Sequence, residues 1–77
     1  MEMGTVRWFS YSKGCGFIIP DDGSPDAYAH FSKLLDIAEE SLAIDQRVYY
    51  QVHAGPNGPI ASDIRLHQPR LYPRVRV

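Results

Sequence analysis

Apolar and polar positions alternate over short stretches of this chain, and each stretch is closed by turn-forming residues. "GTVRWFS" (4–10) is rich in β-branched and aromatic residues, as strands are. "CGFII" (15–19) is short and apolar and is closed by Pro20. "DAYAHF" (26–31) alternates alanine with large rings, so one face is small and the other is large. "QRVYYQVH" (46–53) and "PIASDIRL" (59–66) complete the set. Between them lie "SYSKG", "PDDGSPD" and "GPNGP", clusters of residues whose backbone preferences suit turns. The stretch 32–45, "SKLLDIAEESLAID", is ambiguous. Leu34, Leu35, Ala38 and Leu42 fit a helical period, but a long loop with one helical turn fits as well.

Five short strands with one long third connection predict an all-β fold, a small five-stranded antiparallel Greek-key barrel. Closure suits so short a chain because it removes exposed sheet edges. Seventy-seven residues imply one domain with a small core. Candidates for that core are Val6, Ile18, Ile19, Val48, Val52, Ile60 and Ile64, with Ala27 and Ala29 on the small face of the third strand.

Charge changes the picture mainly through its distribution. The net charge is −1, too little for polyanion binding by bulk attraction. Residues 1–66 hold five Lys/Arg against nine Asp/Glu, whereas 67–77, "HQPRLYPRVRV", hold three arginines and no acid. The chain therefore divides into a domain, 1–67, and a basic tail, 68–77. One cysteine, the absence of an 18-residue apolar run and the lack of a signal-like N-terminal pattern together predict a cytoplasmic protein, not a membrane one. His30, His53, His67 and Cys15 have no metal-binding spacing, so neither a metal nor another cofactor is expected. No nucleophile–base or carboxylate pair marks an enzyme.

Six of the nine aromatic residues lie in residues 1–31. If the first three strands are neighbours, Trp8, Phe17 and Tyr28 lie side by side, with His30 on the same face. Small barrels can bury aromatics, so these rings compete with the aliphatic residues above for the interior. Facing outward beside Arg7 and Lys13, they would suit single-stranded nucleic acid. Bases stack on rings, while cations hold phosphates.

"GTVRWFSYSKGCGFI" followed by "DAYAHFS" resembles the cold-shock domain, an oligonucleotide-binding barrel of OB-fold type, over about residues 3–66. "KGCGFI" is similar to that family's first ribonucleoprotein-type motif, usually Lys-Gly-Phe-Gly-Phe-Ile. "AYAHF" is similar to the second, usually Val-Phe-Val-His-Phe. The resemblance implies that Trp8, Phe17, Tyr28, His30 and Phe31 stack on bases and that Phe9 supports the same face. It places Arg7 and Lys13 at basic positions, and Ser10 where the family often has asparagine.

It also implies a partner, single-stranded RNA or DNA, and a role as RNA chaperone or as regulator of transcription or translation. "QVHAGPNG" is similar to a branch that binds single-stranded DNA. Two departures stand out. Cys15 replaces a stacking phenylalanine, and Glu39 stands where some members carry another. Both imply weaker binding, and they leave open a rival reading as a protein-interaction or strand-swapped module. A monomer is the expected state, with a dimer through the tail or strand exchange as the alternative.

Overall fold

The computed structural model describes residues 1–35 and 42–67. Five strands follow in order: β1 Glu2–Ser10, β2 Cys15–Pro20, β3 Ala27–His30, β4 Arg47–Gly55 and β5 Gly58–Leu66. They close into a barrel in the order β1-β2-β3-β5-β4. The strands read from the alternation are thus all present. The barrel is closed where β3 meets β5 in parallel, through Tyr28 and Ile60, while the other pairings are antiparallel. The long connection after β3 brings the chain round so that β5 runs alongside β3.

The barrel interior follows the pleat. Val6, Ile18, Ala27, Ala29, Val48, Ala61 and Ile64 are buried, and Leu42 and Tyr50 join them. Burying a Val or Ile completely contributes about 1.5–3 kcal/mol, so the four or so fully buried aliphatics dominate so small a core. Two core candidates are overturned. Ile19 is 36% exposed because Ile18 and Pro20, its neighbours, already point inward. Val52 is 44% exposed because β4 pairs with β1 only at Thr5 and before, through Arg47–Tyr50, and then projects beyond that contact. Ile60 is half-buried. Tyr50 fills the interior in their place, with no exposed surface.

The ambiguous segment resolves at its ends. His30 caps a 3-10 turn, Phe31–Lys33, its ring nitrogen accepting from the Ser32 amide. Leu34 then bridges to Ile64, and Leu42 returns to the core. Ala38 and Glu39 lie outside the described residues, as does the tail from 68 onward. Among the described residues no helix is long and apolar enough to cross a membrane.

Candidate nucleic-acid interface

The pairing register places the large rings. Trp8 faces Phe17, Phe17 faces Tyr28, and Cys15 faces His30. The Trp8 and Phe17 centroids lie 5.7 Å apart, as do those of Phe17 and Tyr28, both pairs meeting edge to face. This is a favoured arrangement for aromatic quadrupoles. His30 and Phe31 continue the row, with centroids 4.7 Å apart. Trp8 and Phe31 are 39% and 42% exposed, while Ala27, Ala29 and Ile18 occupy the inward face of the same strands. The rings are therefore an outer surface and not the core.

A shift of register between Val6 and Trp8 sets which β1 side chains reach this surface. Val6 points in, and Arg7 and Trp8 are both exposed. Phe9 then turns back and packs against the core. Phe9 is half-buried there, beneath the rings, because the bulge restarts the alternation one residue late. Gly16 sits opposite Phe9, and a Cβ there would collide with the Trp8 carbonyl oxygen. Any side chain would push β1 and β2 apart beneath the rings.

The β1–β2 turn holds the basic end. Ser10 accepts from the Lys13 amide at 3.2 Å, which holds the turn in shape. Gly14 adopts φ +69°, and its carbonyl accepts from the Phe31 amide at 2.8 Å. That bond ties the turn to the end of β3 and brings exposed Lys13 to the Phe31 side of the row. Neither Lys13 nor Lys33 forms an ion pair among the described residues. Arg7 does: its Nε lies 2.5 Å from Asp26 Oδ2.

Cys15 is half-exposed within this surface. Hydrogen bonding between its thiol and the Tyr28 hydroxyl, helped by partial burial, raises the Tyr28 phenol above its ordinary pKa of 10.0. The thiol thus occupies space beside a ring that another ring would otherwise share.

The tip of the β4–β5 hairpin completes the site. A cleft of about 280 Å³ separates Phe17, Asp26 and Tyr28 on one wall from residues 56–60 on the other. In the sequence "GPNGP" signals only a tight turn. That the turn folds over the Tyr28 end of the row depends on the β3–β5 contact. Among the described residues, no group of three or more His, Cys, Asp or Glu is placed to hold a metal ion.

Residues 2–67 match the family described as "'Cold-shock' DNA-binding domain". The chain belongs to the cold-shock domain family. It is 44% identical over 66 residues to the cold shock-like protein CspA of Bordetella pertussis, covering 86% of this chain and 98% of that one. It is 44% identical over 61 residues to the cold shock-like protein CspE of Escherichia coli, covering 79% and 88%. A probable cold shock protein A of Mycolicibacterium smegmatis is 40% identical over 65 residues, covering 84% and 97%. Among solved structures, Drosophila Unr CSD456 superposes with a TM-score of 0.72 at 24% identity, over 94% of this chain and 29% of that one. That likeness shows the fold. Membership in the cold-shock domain family brings with it nucleic-acid binding of the cold-shock type.

Proposed function

We propose that this cold-shock domain binds single-stranded RNA or DNA by laying unpaired bases on Trp8, Phe17, Tyr28, His30 and Phe31. The observation that carries the reading is the outer set of rings on β1, β2, β3 and the turn after β3, above an inner face of alanine and isoleucine. Each base offers a flat face, and stacking on one aromatic is worth about 1–3 kcal/mol. Single strands are favoured because paired bases keep their faces inside the duplex. Lys13 and Lys33 supply phosphate contacts at the Phe31 end.

Bases held on rings cannot pair with one another. Binding of this kind keeps RNA hairpins open, which is the physical basis of RNA-chaperone action and of regulation at transcription or translation. The role is non-enzymatic and belongs in the cytoplasm, where the lone thiol of Cys15 stays reduced.

The test is a fluorescence titration, following Trp8, with single-stranded and duplex oligonucleotides of the same sequence. Wild-type protein is expected to prefer the single strand. Phe17→Ala combined with His30→Ala removes two platforms and should weaken binding at least tenfold. Unchanged affinity in the double variant would remove this surface from consideration.

A further inference from the structure

The outer face of β4 and β5 lies across the barrel from β2, away from the aromatic row. The strand register sets what this face carries. Tyr49 lies opposite Arg65, and the His67 amide donates to the Arg47 carbonyl at 3.0 Å. Opposed residues in a ladder share a face. Arg47, Tyr49, Arg65 and His67 therefore point outward, while Val48 and Tyr50 between them have no exposed surface. The Tyr49 and His67 rings meet with centroids 5.0 Å apart, tilted by 52°. Both rings keep part of their surface open to solvent.

The charge around this ring pair is one-sided. Arg47 is already held by Asp21 and by the Thr5 hydroxyl. Arg65 is exposed and forms no ion pair among the described residues. Asp63 is the last acid of the sequence. From Arg65 onward the chain has four arginines and no Asp or Glu, and three of the four fall in the ten residues that follow His67. A ring pair alone is an ordinary cover for a strand end. Here it has an unpaired guanidinium opposite it and stands at the root of an acid-free, arginine-bearing tail. Those are the two components that unpaired nucleotides need, a flat platform and cations for phosphate. β1 offers a route from one face to the other. Its Trp8 stands in the aromatic row, and its Met3 and Thr5 pair with Tyr49 and Arg47.

We propose that Tyr49, His67 and Arg65 form a second contact for single-stranded nucleic acid, engaged by nucleotides beyond those on the aromatic row. The tail arginines add phosphate contacts beside it. Site sizes for barrels of this kind run from about 4 to 16 nucleotides, and the long end of that range needs more surface than five rings provide. The added nucleotides belong either to the same strand, passing over β1, or to a second strand.

This inference rests on the single-strand reading above, and strand length separates the two. End-labelled uridine oligomers, a heptamer and one of about 20 nucleotides, longer than one such site, are titrated with the full chain by fluorescence anisotropy. Tyr49→Ala combined with Arg65→Gln is expected to weaken binding of the longer oligomer at least fivefold, the scale of one lost stacked base. It should also flatten the salt slope for that oligomer by about 0.7, one phosphate contact. Affinity for the heptamer is expected to stay at the wild-type value, which also shows that the variant is folded. A longer strand offers more registers on the first face alone, so the variant carries the test, not the wild-type ratio between lengths. Two heptamers bound per wild-type chain and one per variant chain would assign the second contact to a separate strand. One heptamer on each, with the loss confined to the longer oligomer, would assign it to the same strand. An equal loss on both lengths, or no loss on either, would overturn the second contact and leave the stacking reading standing. Failure of the wild-type chain to bind either oligomer would overturn both readings.

Discussion

Arg7 and Asp26 form an ion pair across the rim of the aromatic row, Nε to Oδ2 at 2.5 Å. The Asp26 carboxylate raises the Arg7 pKa, first by its hydrogen bond and then by its charge. The pair is largely exposed, so its worth to folding is small. Its consequence is for binding, because a cation beside Trp8 is already matched by an acid. A phosphate has to compete for it.

Asp26→Asn should therefore release Arg7 to the nucleic-acid backbone. For single strands, each phosphate neutralised contributes about 0.7 to the slope of log affinity against log salt. The variant should show a slope steeper by roughly that amount, measured by titration at several salt concentrations. The same slope in both proteins would mean that Arg7 does not reach a phosphate.

Cys15 lies opposite His30, on the strand whose Phe17 faces Tyr28. Cys15→Phe adds a ring where the row has a gap. One further stacked base is worth about 1–3 kcal/mol, so affinity for a heptamer should rise between about fivefold and a hundredfold. Equal affinity in the two proteins would show that the position lies off the path of the strand.

Tyr50 has no exposed surface and its hydroxyl finds no partner among the described residues. A buried polar group left unpaired costs about 1–3 kcal/mol. Tyr50→Phe should therefore stabilise the fold by about 1 kcal/mol or more, seen as a higher urea midpoint at an unchanged m-value.

The same residue contributes to the alkaline limit. Desolvation, and then the charges of Glu2, Asp22 and Asp21, push the Tyr50 phenol from 10.0 up to about 12. The folded state thus holds its proton longer than the unfolded state does. Its contribution is intact below pH 10 and is lost as pH rises from about 10 through about 12. A urea series over that range should show wild type losing stability more steeply than Tyr50→Phe. Parallel losses would mean that another group governs the alkaline transition.

At the acid end the sign reverses. Arg47 donates two hydrogen bonds to Asp21, at 2.6 and 2.7 Å, and holds its pKa below the usual 3.8. This contribution is present above about pH 4 and lost as pH falls through the lowered value. Arg47→Gln should flatten the acid limb of the stability profile.

Much of the site was legible because strand alternation is a local property. "DAYAHF" puts Tyr28 and His30 on one face and Ala27 and Ala29 on the other wherever the strand lies, and the small face had to be the inner one. The half-burial of Phe9 was not legible, because a bulge leaves nothing visible in the sequence; "VRWF" reads as plain alternation. Val52 sits in a strand apolar enough for core, while the length of the β1–β4 contact, which leaves Val52 outside it, depends on another segment.

By itself the sequence determined the strands, the turns between them and the side of each strand that carries rings, since these follow from steric preferences over a few residues. Only the tertiary structure decided what meets across the barrel. The parallel contact of Tyr28 with Ile60 closes the sheet and carries Asn57 over the end of the aromatic row. Asp26 likewise meets Arg7, 19 residues away, only once β1, β2 and β3 are in register. Such contacts arise from packing the whole chain around one core, and no short window of sequence contains both partners.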